Sequence, residues 1–409
     1  MPSPSYHARP ARGWLNDPNG IVHLDGRWHV FFQHNPAQAR HGHIHWGHVS
    51  SPDLVTWREH PVAFGPQPGG PDRGGCWSGV FLAGAASAAV AYTGVGDGAG
   101  DTTVCVRYAV DEGLDGWSEP LVVATQPGDV GLLEMRDPYL FDWDGRRFAL
   151  LGAGLDDGTP ALLLYSCDDL QAWRFERVWL TPTDLPAGVE APAEIWECPQ
   201  LLVVDGQWVL ALSLLAGGVL GDVVYLLGDL ESAAGLPRYR VRGGGLVDTG
   251  PSMYAPQAVP DRDGPLLLGW VRQEGAPDEA PLDAVAGCLT LPRRLSLVDG
   301  VLVSVVDPAV RRLAGAVVDA HDTLPQWAAL AITPDEPAAA PATVRLVGSG
   351  GSVVVAVDRA TEVWLDGDVV EVYRVGAPPA TYRVEGAAPW LLQLDEAAVR
   401  VRAHEVRIP

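Results

Sequence analysis

The chain has 409 residues, of which 47% are hydrophobic and 19% are charged. This composition is typical of a globular protein with a sizeable core and excludes a disordered or fibrous chain. With 28 basic and 51 acidic residues, the formal net charge is -23. Such a surface repels phosphate backbones and anionic lipids, so nucleic acid and membrane surfaces are poor partners, and a polar uncharged substrate fits better.

The first ten residues contain three prolines and no apolar segment, so they do not resemble a signal peptide. The five cysteines are scattered, and no two of them form a Cys-x-x-Cys pair. Together these features predict reduced thiols in a cytoplasmic protein.

Side-chain amides are concentrated near the start of the chain. All three asparagines lie in the segments Trp14-Leu-Asn-Asp-Pro-Asn-Gly20 and Phe31-Phe-Gln-His-Asn-Pro36. Asn-Asp-Pro-Asn-Gly is also favourable turn chemistry. Because the rest of the sequence lacks asparagine, however, the pattern favours a specific task for these amides.

Polar residues recur about every sixty positions before hairpin signals. The Asp-Gly turns are Asp25-Gly26, Asp144-Gly145, Asp205-Gly206 and Asp263-Gly264, and the polar positions are Asp17, Ser78, Asp137, Glu197 and Gln257. Short apolar runs between them allow about four strands per unit. We therefore predict an all-β fold, a five-bladed β-propeller, in which residues sixty apart converge at one mouth of a central channel. The alternative is a set of coincidences among many polar residues.

The repeat weakens after about residue 304. We predict a propeller catalytic domain over residues 1–305, a linker over 306–314 with one helical turn after Pro308, and a C-terminal β-sandwich over 315–409. The sandwich segment has alternating apolar strands and no catalytic-looking cluster. Structural support is its expected role.

Two of the recurring polar residues are aspartates that precede proline. Asp17 comes before Pro18, and Asp137 comes before Pro138. A following proline favours extended backbone geometry. Arg136 is the neighbour of Asp137, and its guanidinium is expected to keep that carboxylate ionised.

Glu197 is the acid that the sequence predicts to be protonated. It stands between Trp196 and Cys198, and an apolar setting raises a carboxyl pKa, as a general acid requires. Strand alternation directs Trp196 to the opposite face, where it would pack between sheets. Glu190 and Glu194 are rival acids, but neither keeps the sixty-residue spacing. Two ionised carboxylates with one protonated acid suit glycoside cleavage.

These motifs together resemble glycoside hydrolase family 32, the β-fructofuranosidases that include invertases, sucrose-6-phosphate hydrolases, levanases and inulinases. The segments that carry the resemblance are Trp14-Leu-Asn-Asp-Pro-Asn-Gly20, Phe32-Gln33-His-Asn-Pro36, His45-Trp-Gly-His48, Trp77-Ser-Gly79, Met135-Arg-Asp-Pro138, Trp196-Glu-Cys-Pro-Gln200, Tyr254-Ala-Pro-Gln257 and Leu289-Thr-Leu-Pro-Arg293. They follow the family's order over most of residues 6–297. The family's five-bladed propeller and C-terminal β-sandwich agree with the repeat.

The resemblance implies a role for each matching residue. Asp17 resembles the nucleophile that forms a covalent fructosyl intermediate, Glu197 the general acid and base, and Asp137 the residue that stabilises the transition state. The positions expected to line the fructose subsite are Asn16, Gln33, Trp46, Trp77, Ser78 and Arg136, with Trp77 where the family usually has phenylalanine. No metal or organic cofactor is implied.

The expected function is a retaining β-fructofuranosidase that hydrolyses terminal fructosyl units, with sucrose as the expected substrate. Transfer of fructose to another sugar and non-catalytic sugar binding are the alternatives. Leu15, Met135, the Ser252-Met253-Tyr254 segment and Arg294 depart from the family pattern. These departures leave the acids in place but leave open the preference among sucrose, sucrose 6-phosphate, raffinose and fructan. The oligomeric state also stays open.

The histidines between residues 41 and 48 offer a different hypothesis. His41, His43 and His45 alternate, so a strand would place them on one face, with His48 nearby. Zinc sites usually add acids or cysteines to complete a tetrahedron, and none is close in sequence. A loop on the substrate side is therefore favoured over a metal site.

Overall fold

The computed structural model describes residues 6–85, 87–98, 100–277, 280–281, 283–318, 323–335, 341–394 and 399–408. Within these ranges nearly all regular structure is β-strand. The exceptions are a short α-helix, α1 (Pro308–Arg311), and a single 3-10 turn at Pro182–Asp184. In the described ranges, the structure shows no helix with the length and apolar character needed to cross a membrane.

Five sheets follow one another along the chain, and we refer to them as the ring sheets. Each is built around four strands in antiparallel sequence order. The first has β1 (Gly13–Leu24), β2 (Arg27–Asn35), β3 (His45–Ser51) and β4 (Arg58–Glu59), and the second has β5 (Gly75–Phe81), β6 (Ala89–Val95), β7 (Thr102–Tyr108) and β8 (Leu121–Thr125). The third has β9 (Leu132–Trp143), β10 (Arg146–Leu155), β11 (Pro160–Ser166) and β12 (Arg174–Leu180), and the fourth has β13 (Ile195–Val204), β14 (Gln207–Ala216), β15 (Val219–Ala233) and β16 (Leu236–Leu246). The fifth has β17 (Met253–Val259), β18 (Leu266–Val271), β21 (Arg293–Val298) and β22 (Val301–Val306), while the short strands β19 (Val285–Ala286) and β20 (Cys288–Leu289) precede β21.

The first strands of the ring sheets contact one another in a closed circle. β1 contacts β5 and β17, and contacts from β5 to β9, β9 to β13 and β13 to β17 complete the circle. β19 pairs in parallel with β1 and so hydrogen-bonds the connection between β18 and β21 of the fifth unit to the start of the first. We call these first strands the inner strands. Residues about sixty positions apart are therefore brought together along them.

Three of the four predicted Asp-Gly hairpins have a two-residue turn, whereas Asp263-Gly264 lies in a longer connection between β17 and β18 with positive φ at Gly264 alone. Asp25-Gly26, Asp144-Gly145 and Asp205-Gly206 join the first two strands of their sheets, and both residues of each pair have positive φ. This backbone geometry is that of the two-residue turns whose twist matches antiparallel strands. Local sequence chemistry therefore sets the turn between the first two strands in three of the five units.

Every first strand contains a β-bulge in which two residues oppose one on the second strand. The two-residue segments are Asn16-Asp17, Trp77-Ser78, Asp137-Pro138, Cys198-Pro199 and Ala255-Pro256. Three of the predicted polar positions lie in these bulges, whereas Glu197 directly precedes one and Gln257 directly follows one. The sixty-residue repeat is thus a repeat of bulges, which also accommodate prolines that a regular ladder would exclude.

Apolar side chains fill the spaces between neighbouring ring sheets. Phe31 and Trp46 of the first sheet pack with Tyr92 of the second. Trp196 is fully buried with Leu150 of the third sheet and with residues of the fourth, as strand alternation predicted. Because the apolar side chains face the neighbouring sheets, the polar bulge residues face the centre of the circle of first strands.

Two further sheets follow α1 and share one apolar core. The six-stranded sheet contains β23 (Ala314–Val318), β24 (Trp327–Pro334), β27 (Thr361–Asp366), β28 (Val369–Arg374), β29 (Ala380–Arg383) and β31 (Val399–Val406), and the three-stranded sheet contains β25 (Ala342–Gly348), β26 (Gly351–Val357) and β30 (Leu391–Leu394). Leu330 and Val363 of the larger sheet lie in the same buried cluster as Val344 and Val355 of the smaller one. The predicted helical turn after Pro308 is α1, whose first turn is capped by Asp307.

Buried charges join the fifth ring sheet and the N-terminal segment to the six-stranded sheet. Arg293 on β21 pairs with Asp248 at 2.8 Å and with Glu371 at 2.7 Å. His7 Nε2 lies 3.0 Å from Glu371, and its Nδ1 lies 2.7 Å from Asp366. Because both ring nitrogens face carboxylates, which only accept hydrogen bonds, His7 is an imidazolium here.

The imidazolium predicts a loss of stability in alkaline solution. Burial alone would lower the pKa of His7, but hydrogen bonds to Asp366 and Glu371 raise it from 6.5 to about 9. A raised histidine pKa stabilises the fold fully below pH 6.5, and the contribution is lost as pH rises through 9. We expect urea unfolding to show a loss of about 3 kcal/mol over this interval. The loss should be much smaller in His7→Gln and unchanged in His23→Gln, an exposed histidine. A wild-type free energy of unfolding that is constant from pH 6 to 9 would contradict this assignment.

Candidate active site

The carboxylate of Asp17 is held by donors from three ring sheets. Asn16 Nδ2 donates to Oδ1 at 3.0 Å. Oδ2 accepts from Gln33 Nε2 at 2.9 Å and from Ser78 Oγ at 2.6 Å, and Cys198 Sγ lies 3.7 Å from the same oxygen. Donors on both oxygens favour the ionised form and fix its orientation.

Asp137 lies close to the same sulfur atom. Its Oδ2 accepts from the Cys198 backbone N–H at 3.0 Å, with Sγ of that residue 3.4 Å away. Its own N–H donates to Thr93 Oγ1 at 2.7 Å. The proline that follows predicted extended backbone, but φ is +57°, because the bulge places Asp137 in the left-handed region. Asp17 and Asp137 therefore meet around Cys198, although 120 positions separate them in the chain.

Arg136, Glu197 and Tyr254 occupy the position directly before the bulge in three consecutive first strands. Arg136 Nη1 donates to Glu197 Oε1, and Tyr254 Oη donates to Glu197 Oε2 at 2.6 Å. Arg136 is also ion-paired with Glu134. The guanidinium is thus directed at these two glutamates, whereas the sequence had indicated Asp137 as its partner.

Burial raises the pKa of all three acids. For Asp137 the value rises to about 7, because burial and the charges of Glu197 and Asp17 outweigh the opposing effect of Arg136. Burial also raises the pKa of Glu197, with Arg136 and Tyr254 acting in the opposite direction. The direction agrees with the prediction for Glu197, although its neighbours in space are polar. The raised pKa of Asp137 differs from the expectation that Arg136 keeps it ionised.

Aromatic rings form one side of the site. The Arg136 guanidinium lies 4.7 Å from the centre of the Trp77 ring, and the exposed His41 ring lies 6.4 Å from it. Trp46 donates its indole N–H to the Trp77 carbonyl oxygen at 3.0 Å and is 0% exposed. Trp46 therefore supports Trp77 from behind. With no exposed surface, it does not make the direct substrate contact that the sequence predicted.

Two of the three asparagines have the specific task that their clustering indicated. Asn16 binds Asp17, and its Oδ1 accepts the Trp14 indole N–H at 2.7 Å. Asn19 Oδ1 accepts the Gly79 N–H at 3.3 Å and so links β1 to β5. Asn35 instead serves the turn after β2, where its Oδ1 accepts the N–H of Ala37 at 3.1 Å.

Gln257, the fifth recurring polar residue, joins inner strands and lies outside the acid cluster. Its Nε2 donates to the Gly79 carbonyl oxygen at 2.9 Å, and its Oε1 accepts the Ile21 N–H at 2.8 Å. The amide thus connects the fifth, second and first ring sheets. This tie helps hold the strands that present the acids.

Most of the predicted site residues are brought together, and two further residues join them. Those that meet are Asn16, Asp17, Gln33, Trp77, Ser78, Arg136, Asp137 and Glu197. Tyr254 and Cys198 were missed as site residues by sequence reasoning, even though both lie in recurring motifs. The available signal was their place in those motifs, since Cys198 directly follows Glu197 and Tyr254 precedes Gln257 by three positions.

The histidine segment is a loop. Residues 41–44 lie outside any strand, and β3 begins at His45. His45 Nδ1 contacts the His43 carbonyl oxygen at 2.6 Å, while His41 lies beside Trp77 and Trp14. The strand face that would have aligned three histidines is absent here, and His41 lies at the edge of the site, as the loop interpretation predicted.

The sequence is similar to known proteins over most of its length. The family model described as the glycosyl hydrolases family 32 N-terminal domain matches residues 7–305. A raffinose invertase from Escherichia coli is 31% identical over 322 residues, which cover 73% of this chain and 63% of that protein. A sucrose-6-phosphate hydrolase from Escherichia coli is 30% identical over 310 residues, with the same coverage. This chain thus spans less than two thirds of the length of these relatives.

Solved structures share the fold over nearly the whole chain. A Bombyx mori GH32 β-fructofuranosidase, BmSUC1, has a TM-score of 0.81 at 21% identity and covers 99% of this chain and 94% of its own. A sucrose-6-phosphate hydrolase from Lactobacillus gasseri has a TM-score of 0.81 at 23% identity, with 99% and 93% covered. Because the family model matches well over half of the residues, including all three acids, the chain belongs to glycosyl hydrolase family 32.

Proposed function

We propose that this protein is a retaining β-fructofuranosidase that hydrolyses terminal β-D-fructofuranosyl units, sucrose first among them. The carrying observation is that Asp17 and Asp137 meet at the Cys198 sulfur and that the charges of Glu197 and Asp17 both act on Asp137. Family membership and relatives named as invertase, sucrose-6-phosphate hydrolase and levanase support this choice. The reaction needs no cofactor.

The proposed first step uses two of the acids. Asp17 attacks C2 of the fructosyl unit while protonated Glu197 gives its proton to the glycosidic oxygen, so the C2–O bond breaks and glucose leaves. Four neighbouring donors orient Asp17 for attack. Burial raises the pKa of Glu197, which favours the protonated form that a general acid requires.

The second step releases fructose. Glu197, now a carboxylate, takes a proton from water, and the oxygen of that water attacks C2 and displaces Asp17 with net retention. Asp137 hydrogen-bonds fructose hydroxyls in both steps. Asn16, Gln33, Ser78, Trp77 and Arg136 line the fructose subsite.

The arrangement of the sheets supports the proposed roles of the acids. We infer that the five ring sheets are the blades of a β-propeller over residues 1–305, that 306–314 link the two parts, and that 315–409 form a β-sandwich. The closed circle of first strands supports the first inference, and the core shared by the last two sheets supports the last. The end of the family match at residue 305 agrees with the boundary.

We further propose a neutral substrate in the cytoplasm. Arg136 is already paired with Glu134 and Glu197, so it is not available for a phosphate group. This pairing and the net charge of -23 favour sucrose over its 6-phosphate. All five cysteines are free and buried, which supports a compartment that keeps thiols reduced.

A substrate panel tests the proposal. Initial rates would be measured on sucrose, sucrose 6-phosphate, raffinose, inulin and levan, with products separated at high sucrose concentration. We expect release of free fructose, with the highest kcat/KM on sucrose. Dominant oligosaccharide formation would make the protein a transferase, and binding of fructosides without turnover would make it a sugar-binding protein.

Tyr254 is expected to tune the pH range of activity. Its hydrogen bond lowers the pKa of Glu197, so Tyr254→Phe removes this effect and raises that pKa further. Activity that needs protonated Glu197 falls as pH rises through its pKa. The alkaline limb of kcat/KM should therefore move to higher pH in Tyr254→Phe, while Tyr239→Phe, in the outer part of the fourth sheet, leaves it in place. A shift to lower pH, or none, would exclude this role.

A further inference from the structure

A group of side chains outside the active site has the composition of a metal site. His48 on β3, His60 just after β4, and Asp115 between β7 and β8 each place one ligand atom within 4.8 Å of the others. The first two residues belong to the first ring sheet and the third to the second. His48 was considered as a ligand from sequence, but with the loop histidines as its partners.

The Nδ1 atom of His48 is the least satisfied atom of this group. The side chain is 0% exposed, and Nδ1 has no hydrogen-bond partner among the described residues. It lies 3.7 Å from Asp115 Oδ1, too far for a hydrogen bond. His48 Nε2 is engaged at 2.9 Å by His29 Nδ1. When Nε2 carries the proton, Nδ1 presents a lone pair to a carboxylate, an arrangement that a cation between them would stabilise.

His60 faces the same carboxylate oxygen. Its Nδ1 lies 2.8 Å from Asp115 Oδ1, and its Nε2 lies 2.8 Å from Ser50 Oγ. If the ring proton moves from Nδ1 to Nε2, Nε2 donates to Ser50 and Nδ1 becomes free to bind a cation. Ser50 and His29 would then orient the two imidazoles, as outer groups do in metal sites.

We propose that His48 Nδ1, His60 Nδ1 and an Asp115 carboxylate oxygen bind one divalent late transition-metal ion, with Zn²⁺ as the representative ion. Two imidazoles and one carboxylate are a common ligand set for Zn²⁺, and water completes the tetrahedron. Ligand distances of about 2.0–2.2 Å require the three atoms to approach one another. The His48 and His60 rings are stacked, with centroids 4.0 Å apart and planes 21° apart, so binding also requires the rings to rotate until both lone pairs point at the ion. Asp115, whose side chain is 42% exposed, has room to move.

The bound ion would connect the first two ring sheets. Asp115 lies on the connection between β7 and β8, whereas both histidines belong to the first sheet. The His48 ring stacks on Phe31 with centroids 4.4 Å apart, and Phe31 lies against Trp46 at 5.7 Å. The site is thus structural: it would stabilise the packing behind the active site and take no part in the chemistry.

The test is a zinc titration of the full chain after removal of metal with a chelator. Calorimetry should show one Zn²⁺ bound per chain, and Zn²⁺ should raise the thermal midpoint. His60→Ala and Asp115→Asn should each weaken binding at least about tenfold and abolish the rise in thermal midpoint. Co²⁺ should give the visible absorption of a tetrahedral site in the wild type and lose it in both variants.

His43→Asn is the matched control, because it removes an exposed histidine from the neighbouring loop. It should bind Zn²⁺ as the wild type does. The proposal is overturned if the wild type binds no Zn²⁺, if Asp115→Asn and His60→Ala bind it unchanged, or if His43→Asn alone abolishes binding. Because Asp115 lies on an exposed connection, its variant should fold even if His60→Ala does not.

Discussion

Replacing Asp17 with asparagine is expected to lower kcat/KM for sucrose by a factor on the order of 10⁴ or more. An amide cannot form the covalent bond to C2, so the first step loses its nucleophile. Asparagine has nearly the same shape, and Gln33 and Ser78 can still donate to its carbonyl oxygen when that oxygen occupies the Oδ2 position. The loss should therefore come from chemistry, with the fold unchanged. Coupled detection of released glucose, with the thermal midpoint as a check on folding, measures both.

Asp144→Asn is a suitable control for this experiment. Asp144 is an exposed residue of the hairpin between β9 and β10 with φ of +51°, a conformation that asparagine tolerates. Its variant should keep the wild-type rate within about twofold. A folded Asp17→Asn protein that retained a tenth or more of the wild-type rate would remove Asp17 from the role of nucleophile.

Replacing Glu197 with glutamine is the second large expected effect. We expect kcat for sucrose to fall by about 10²–10⁴-fold, the usual contribution of a general acid or base. The remaining activity should lose the alkaline limb that comes from Glu197, because the carboxyl whose deprotonation removes the general acid is no longer present. Glutamine can still accept from Arg136 through its carbonyl oxygen, and its amide N–H can donate to Tyr254 Oη, so both neighbouring contacts can be kept.

An aryl fructoside separates the two tasks of Glu197. Its phenolate leaving group needs no proton, so Asp17 can still be fructosylated, whereas hydrolysis lacks its base. The covalent intermediate should then accumulate in Glu197→Gln and be visible in the intact mass. Glu194→Gln is the matched control, since Glu194 is exposed and accepts from the Gly217 N–H. Equal losses on sucrose and the aryl fructoside, without any intermediate, would argue against an acid and base role.

The proposed zinc site shows the limit of sequence patterns in this chain. Histidines close in sequence, at 41, 43 and 45, suggested a metal site that the loop geometry does not form. The group that does meet combines residues 48, 60 and 115, and no short motif contains them. Only the packing of the first ring sheet on the second brings the carboxylate to the two imidazoles.

The sequence alone determined the features that depend on local chemistry. Asp-Gly pairs set the hairpin turns, apolar alternation set the strands, and the sixty-residue spacing placed Asp17 and Asp137 in the bulges of the first and third units. The identity of the acids also followed from motifs that are short and continuous. Each of these features depends on adjacent residues or on their spacing along the sequence, so it can be recognised without the tertiary structure.

Tertiary structure alone decided how those residues interact. It directed Arg136 to Glu197 and Glu134, placed Cys198 between two aspartates, and hid Trp46 behind Trp77. Each of these outcomes depends on the bulges and on contacts between strands from different sheets. Burial, which raises the pKa of the three acids, likewise arises only when the ring of strands has closed around them.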